Sequence, residues 1–236
     1  MHDIDYYSNI RKELEDHHAP NEFNHGSMFC GSWYEGWRNA RIIKLCKILG
    51  GKEWFKGKSV LELGCGHGHV GVMLKRWGAD VLLTDGREWC VEATNYYWPD
   101  MDVRLVDQTK PYSLGNFDLV IHWGITYHLP PDKWKEDLKC AFGHGKKICY
   151  ECEVVDWAND NFAEACPDEG LDKSLSGVGT KISTRTLEKS FRELGYRWKR
   201  YDDEDLDTGS SRYSWVEEDN GNWFPGQRRF WMLKKK

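Results

Sequence analysis

The sequence predicts an α/β protein with a mostly parallel seven-stranded sheet, an antiparallel last strand and helices on both faces. Apolar strand-like runs alternate with helical segments between residues 58 and 143, a pattern typical of parallel strands joined by right-handed crossovers. The last two predicted strands, at about 196–201 and 229–233, have a hairpin-like connection, so we expect the final strand to run antiparallel at or near the sheet edge. The chain has 236 residues, 40% of them hydrophobic, and can bury one sizeable core.

The N-terminal segment precedes this alternating region and has a different pattern. Residues 5–16 and 33–49 each predict a helix, and Gly50 and Gly51 then lead into the first strand. We therefore divide the chain into an N-terminal helical cap, residues 1–50, and a main domain, residues 51–236.

Two segments of the main domain are too long to be simple connections. Residues 156–182 and 202–228 exceed the roughly 15 residues beyond which a loop is usually functional or disordered. Each is either a cover over a substrate site or a surface elaboration. Thr184, just after the first of them, is the predicted N-cap of the last helix.

The segment Val60–Gly68 is an apolar strand that continues into a glycine loop. From Gly64 to Gly68, every second residue of this loop is a glycine. A strand, a glycine turn and a helix bring backbone N–H groups against a nucleotide-like ligand. A dinucleotide fingerprint does not fit, because counting from Gly64 places His69 at the third glycine. Glu62 would repel a pyrophosphate, but a carboxylate there suits a cationic cofactor.

This loop resembles the first motif of the class I S-adenosylmethionine-dependent methyltransferases. That motif reads Glu/Asp-x-Gly-x-Gly-x-Gly, and the chain meets it with Glu62, Gly64, Gly66 and Gly68. The resemblance implies a Rossmann-like methyltransferase fold, S-adenosylmethionine as the cofactor, and these four residues in its binding site.

Further cofactor contacts are expected after the next two strands. Asp85 ends the second strand about 20 residues beyond the glycine loop, where a carboxylate accepts hydrogen bonds from ribose hydroxyls. The resemblance places Asp107 beside the adenine amino group, with Gln108 next to it, although Asp102 competes for that role. In the N-terminal helix, Tyr34 and Arg38 belong to a helical stripe that either closes over the cofactor or packs on the sheet.

The segment Gly124–Leu129 narrows the resemblance to one branch of these enzymes. It is similar to a Gly-x-Leu-Tyr-His-Leu segment, with Thr126 in place of the leucine. The branch includes tRNA wobble-uridine carboxymethyltransferases and enzymes that tailor glycans and small molecules. The resemblance covers about residues 32–202 and is strongest over 58–129.

Three residues are candidates for a catalytic base. His128 leads, because imidazole titrates near neutrality and the loop after the fourth strand opens on the ligand crevice, although a histidine in such a turn often caps a helix instead. His122, at the strand end, is the alternative and also a possible cofactor contact. Glu151 is the third, although an exposed strand end without a catalytic role is the more common alternative.

Aromatic residues supply the candidate substrate contacts. Trp123 and Tyr127 lie in the loop region after the fourth strand, and Trp157 and Trp223 lie in the two long segments. Aromatic faces stack on the apolar faces of sugars or on nucleobases, although packing in the core is the common alternative.

Composition restricts the partners and the location. The formal net charge of −5 and the absence of any broad basic face in the sequence argue against nucleic acid. No apolar run reaches the ~20 residues of a membrane span, so we expect a cytoplasmic protein. The eight cysteines lack a disulfide framework, and Cys149 and Cys152 point to opposite faces of a strand, so we expect no metal site.

The sequence therefore predicts a transferase, and three functions remain open. The first is an O-methyltransferase for a small polar acceptor such as a sugar or glycan precursor. The second is a methyltransferase or carboxymethyltransferase acting on tRNA or another RNA. The third is a non-catalytic partner subunit that binds S-adenosylmethionine.

Overall fold

The computed structural model describes residues 4–16, 32–156, 161–170, 173–208, 211–217, 223–224 and 226–235. Its α-helices are α1 (Ile4–Glu15), α2 (Ser32–Leu49), α3 (His69–Arg76), α4 (Glu88–Tyr97), α5 (Trp134–His144) and α6 (Thr184–Glu193). Its strands are β1 (Ser59–Leu63), β2 (Asp80–Asp85), β3 (Asp102–Leu105), β4 (Leu119–Trp123), β5 (Lys147–Glu153), β6 (Ala163–Pro167), β7 (Val178–Ile182), β8 (Tyr196–Tyr201), β9 (Val216–Glu217), β10 (Trp223–Phe224) and β11 (Arg228–Lys235).

Seven of these strands form the main sheet, in the order β3-β2-β1-β4-β5-β11-β8. The pairs from β3 to β5 are parallel, and β11 runs antiparallel to both β5 and β8. The last strand thus lies one position inside the sheet edge, and the predicted fold class is confirmed.

Helices cover both faces of the sheet because successive strand residues point to opposite sides. On one face, Leu119 and Ile121 of β4 share a hydrophobic cluster with α1, α2 and α3. On the other face, the intervening Val120 shares a cluster with α5 and α6. Cys149 and Cys152 of β5 belong to the first and the second cluster respectively, and so lie on opposite faces as expected.

The order of the strands creates a crevice between β1 and β4. From β1 the chain proceeds to β2 on one side, and β4 returns to pair with β1 on the other, with Leu63 opposite His122. Ligands of open α/β sheets bind at such a switch point, outside the carboxyl ends of the strands. The glycine loop follows β1 at this edge.

The first insertion contains the antiparallel hairpin β6–β7. It packs on the short 3₁₀ turn Thr126–His128, where a Cβ at Gly179 would stand 2.2 Å from the Tyr127 carbonyl oxygen. Thr180 Oγ1 also donates to the Leu129 carbonyl at 2.6 Å. The hairpin is therefore fixed against the turn that carries the leading candidate base.

The N-cap of α6 is Ser183, so the prediction of Thr184 was wrong by one residue. The Ser183 side chain accepts from the Thr186 N–H, whereas the Thr184 N–H and hydroxyl both donate to Asp156, at 2.8 and 2.7 Å. The backbone N–H and hydroxyl of Thr184 are thus bound by a carboxylate that is distant in sequence. Within the described residues, no helix is long and apolar enough to cross a membrane.

Candidate cofactor and acceptor cleft

A cleft of about 280 Å³ opens at the carboxyl ends of β1, β2, β4 and β5. It is lined by Tyr34, Trp37, Arg41, Gly64, Asp85, Gly86, Arg87, Gln108, Thr109, Trp123, Gly124, Ile125, Tyr127, His128, Leu129, Glu153, Lys173, Ser174, Leu175, Ser211 and Arg228. A small cavity of about 30 Å³ adjoins it at Gly64 and is lined in part by Arg38 and Glu62. The cleft thus collects residues from the helical cap, the sheet and both insertions.

The glycine loop can approach a ligand closely because its glycines adopt conformations that other residues avoid. Gly64, Gly66 and Gly68 have φ values of 61°, 56° and 76°, in the left-handed region that favours glycine. A Cβ on Gly64 would also lie 2.8 Å from Ile125 Cγ1. Gly68 is the N-cap of α3, so the helix N-terminus follows the loop directly.

Asp85 joins the end of β2 to this loop. Its side chain is buried, and its Oδ2 accepts the Gly66 N–H at 2.8 Å. Arg87 donates to the same carboxylate from its backbone N–H, Nε and Nη2, each at 2.9 Å. Ribose hydroxyls that bind Asp85 would therefore take the place of the Arg87 side chain.

Glu62 is a buried carboxylate beneath the loop. Its Oε2 accepts the Gly71 N–H at 2.7 Å, and it lines the small cavity beside Gly64. Burial raises the pKa of Glu62 to about 8, despite the hydrogen bond from Gly71 and the charge of Arg41. A cation placed nearby would stabilise the ionised form, so this carboxylate suits a positively charged ligand.

The two candidates for adenine recognition, Asp107 and Gln108, differ in their access to the cleft. Asp107 is turned to its own loop, where it accepts the Thr109 N–H at 3.0 Å and pairs with Lys110 at 2.8 Å. Gln108 and Thr109 line the cleft. Gln108 is buried, and its Nε2 donates to Asp137 at 3.0 Å, so its amide is held in place beside the cleft.

His128 lines the cleft and has a carboxylate partner from the first insertion. Its Nδ1 is 2.6 Å from Asp168 Oδ2. Asp168 also accepts the Ser174 N–H at 3.0 Å, which fixes the carboxylate within its own loop. Within the part of the chain that the structure describes, Nε2 of His128 has no hydrogen-bond partner and remains available to a ligand.

His122 lies behind the cleft wall. The ring is fully buried, stacks on Tyr150 with centroids 4.8 Å apart, and its Nε2 is 2.7 Å from Asp137. Because Asp137 also holds Gln108, His122 supports a cleft residue without reaching the cleft itself. This geometry argues against His122 as a base or a direct cofactor contact.

Glu151 is likewise buried, in an ionic network under the cleft floor. Arg228 donates to it from Nε at 2.5 Å and from Nη2 at 3.2 Å, and the Tyr213 hydroxyl donates at 3.0 Å. Arg41 completes the network, with its Nη1 3.5 Å from Glu151. Because the side chain is fully buried and both carboxylate oxygens are already bound, we interpret Glu151 as structural and not as a base.

Aromatic rings and cations form the adjoining wall. The Arg41 guanidinium lies 3.8 Å from the Trp37 ring centroid and 4.9 Å from that of Trp123. Arg228 Nη2 donates to the Tyr127 hydroxyl at 3.1 Å. The cleft is also lined by three aromatic residues that the sequence analysis singled out, namely Tyr34, Trp123 and Tyr127.

The side chains of the other two aromatic candidates lie outside the described part of the chain. Trp157 lies outside the described residues, and Trp223 is described only as a backbone member of β10. Sequence reasoning missed Arg87 and Arg228 as cleft residues, and Asp168 as the partner of His128. Only Arg87 carried a local signal, as a cation two residues beyond Asp85; the others arrive through tertiary contacts.

A family profile described as "Methyltransferase domain" matches residues 34–199. The chain belongs to this family, as the resemblance implied, and the family uses S-adenosylmethionine as its methyl donor.

Curated relatives give more specific likenesses. A tRNA U34 carboxymethyltransferase from Pseudomonas putida (strain W619) is 24% identical over 172 residues, which are 70% of this chain and 51% of the relative. Its counterpart from strain GB-1 is 26% identical over 132 residues, 52% of this chain and 39% of the relative. The chain thus spans about half the length of these relatives or less. Their names do not support the expectation that nucleic acid is an unlikely partner.

Solved structures share the fold over nearly the whole chain. The N-terminal domain of EvdMO1, crystallised in the presence of S-adenosylhomocysteine and D-fucose, has a TM-score of 0.67 at 18% identity, covering 100% of this chain and 98% of that one. Magnesium protoporphyrin IX methyltransferase from Synechocystis PCC 6803, with bound S-adenosylmethionine, has a TM-score of 0.58 at 12% identity and covers 96% and 97%. These likenesses establish a class I methyltransferase fold.

Proposed function

We propose that this protein is an S-adenosylmethionine-dependent methyltransferase that methylates a hydroxyl group of a polar acceptor, with His128 as the base. The observation that carries the proposal is the pairing of Asp168 with His128, which lines a cleft that also contains Asp85 and Gly64. One side of the cleft suits a nucleoside cofactor, and the other offers a base.

The residues of the first side fit S-adenosylmethionine by charge and shape. The buried carboxylate of Glu62 suits a cation, Asp85 suits ribose hydroxyls, and the left-handed Gly64 leaves room for close approach. When bound, this cofactor supplies a methyl group on a sulfonium, ready for in-line displacement.

His128 would remove the proton that the acceptor loses. The hydrogen bond to Asp168 occupies Nδ1 and leaves Nε2 to accept a proton. With the cofactor held by Glu62, Gly64 and Asp85, the proton of the acceptor oxygen would pass to Nε2 of His128 as the methyl group is transferred. Asp168 then stabilises the charged imidazolium, the role of a base-orienting carboxylate.

A sugar is the acceptor class that we favour for this cleft. Tyr34 and Tyr127 are partly exposed aromatic rings of the cleft, and they lie beside the polar groups of Glu153 and Ser211. Sugars offer an apolar face for stacking and hydroxyls for hydrogen bonds, which suits this combination. The second function, modification of RNA, draws support from the names of the curated relatives.

Cofactor binding is tested by calorimetry with S-adenosylhomocysteine. Asp85→Ala removes charge-assisted hydrogen bonds of roughly 1.5–3 kcal/mol, so the affinity should fall by about one to two decades. Arg87→Met is the matched control: it removes the competing partner of Asp85, and affinity should be equal or higher. Unchanged binding in Asp85→Ala would reject the proposed ribose site.

Catalysis is tested by incubating the protein with methyl-labelled S-adenosylmethionine and a panel of free and nucleotide-linked sugars. With an acceptor found in this panel, His128→Ala should reduce turnover by about 10²- to 10⁴-fold and leave S-adenosylhomocysteine affinity nearly unchanged. Near-normal turnover would exclude His128 as the base. Cofactor binding without transfer to any sugar or RNA would favour the third function, a non-catalytic partner subunit.

A further inference from the structure

A second, open groove of about 790 Å³ lies along α6, outside the cleft. Its cationic lining residues are Arg185, Lys189, Arg192, Arg200 and Arg229. The sequence analysis predicted no broad basic face, because the net charge of the whole chain is −5. Residues 181–200 nevertheless contain seven Lys and Arg against two Glu, and four of these cations, Arg185, Lys189, Arg192 and Arg200, line the groove.

The acidic residues of the groove are already neutralised by two of these cations. Asp156 pairs with Arg229 at 2.7 Å, and Glu188 pairs with Arg200 at 3.1 Å. Lys189 has no carboxylate partner within the described ranges of the chain. On the exposed face of α6, the charge of Lys189 therefore remains for a ligand.

That face is a linear array. Arg185, Lys189 and Arg192 are all exposed and lie at i, i+4 and i+7, which places them on one side of the helix. At a rise of about 1.5 Å per residue, the array extends about 10 Å. Several negative groups in a row fit this array better than a single anion does.

An exposed indole stands at the groove. Trp215 lines it and is 48% exposed, which is unusual for a tryptophan among the described residues. An indole face next to an array of cations is the combination that binds single-stranded nucleic acid: the cations attract phosphates, and the ring stacks on a base regardless of sequence.

The groove begins beside the cleft. Arg228 and Arg229 are consecutive in β11 and therefore point to opposite sides of the sheet. Arg228 lines the cleft and Arg229 lines the groove, so a single strand separates the two sites. A chain lying in the groove could present a neighbouring residue of itself to His128.

We propose that the groove along α6 binds a single-stranded nucleic acid, which carries the acceptor to the cleft. The inference rests on the proposed function and narrows its acceptor sugar to a ribose of the bound strand. Binding in the groove is nevertheless measurable without turnover, so the two proposals can fail separately.

The test is fluorescence anisotropy with a short labelled single-stranded RNA of mixed sequence, over a series of sodium chloride concentrations. Joint substitution of Lys189→Glu and Arg192→Glu should weaken binding by about tenfold or more, and should reduce the slope of log affinity against log salt by about 1.4, or 0.7 per phosphate contact. The matched control is Arg11→Glu with Lys12→Glu, which makes the same charge change on exposed residues of α1 and should have little effect.

The variant Trp215→Ala distinguishes the binding of nucleic acid from the binding of other polyanions. It should weaken RNA binding by about tenfold through the loss of stacking, and should leave the binding of heparin, which has no bases, unchanged. The proposal is overturned if RNA does not bind saturably, if both charge-reversed variants lose equal affinity, or if heparin and RNA respond alike to Trp215→Ala. Calorimetry with S-adenosylhomocysteine on each variant reports separately on the cleft.

Discussion

Asp168 reaches from the first insertion to the turn after β4, and its Oδ2 lies 2.6 Å from Nδ1 of His128. Burial by itself would raise the pKa of Asp168, but the hydrogen bond and charge of His128 outweigh it and leave that pKa below its usual value. Asp168 is therefore ionised at every pH at which the protein would work. The insertion thus supplies a fixed negative charge to the candidate base.

Asp168→Asn should reduce turnover by about tenfold or more, because the imidazolium formed in the reaction loses its charged partner. S-adenosylhomocysteine affinity should stay within about twofold, and Asp168→Glu should restore part of the rate. Equal loss of cofactor affinity and turnover would indicate a collapsed loop instead of a positioning role.

The same ion pair has a defined effect of pH on stability. Because the pKa of Asp168 is lowered in the folded state, its stabilisation is present above the unfolded pKa of about 3.9 and is lost as pH falls through the folded value. Wild type should therefore exceed Asp168→Asn in stability at neutral pH, and the difference should shrink in acid. Thermal unfolding at a series of pH values measures this.

Glu62 should couple cofactor binding to a proton. Its pKa of about 8 means that the free protein holds this proton at neutral pH, and a cationic ligand would expel it. S-adenosylmethionine affinity should rise between about pH 6 and 8, with release of up to about one proton. Calorimetry in buffers of different ionisation enthalpy measures the release, and Glu62→Gln should remove this part of it.

Substitution of Glu151 should lower the free energy of unfolding more than substitution of Glu153 does. Glu151→Ala leaves the buried Arg228 without its main partner, which should cost about 3–5 kcal/mol. Glu153 also pairs with Arg228, at 3.2 Å, but its side chain is 56% exposed, so Glu153→Ala should cost less than about 1 kcal/mol. Denaturant unfolding compares the two, and equal losses would contradict the structural role assigned to Glu151.

Local sequence was sufficient for the fold class and the cofactor side of the cleft. Glu62, Gly64 and Asp85 are close in sequence to the strands that carry them, so strand order and the glycine pattern predicted where they would meet. The division into residues 1–50 and 51–236 stays a prediction, and so do the roles of the individual site residues.

The acceptor side was decided by contacts between distant segments. His128 and Asp168 are 40 residues apart, and Arg228 and Glu151 are 77 apart; no periodicity or spacing links either pair. His122 and Glu151 carried the right chemistry in the right strands, but whether a side chain at a strand end faces the cleft or the core depends on how helices and insertions pack over it.

The sequence by itself therefore determined the α/β fold, its glycine loop and the acidic residues beside it, because backbone conformation and strand alternation are local properties. Tertiary structure alone decided which histidine has access to the cleft, which carboxylate is paired with it, and which cations beside α6 are neutralised by carboxylates. Burial and electrostatic pairing depend on neighbours in space, and a sequence specifies those neighbours only once the chain has folded.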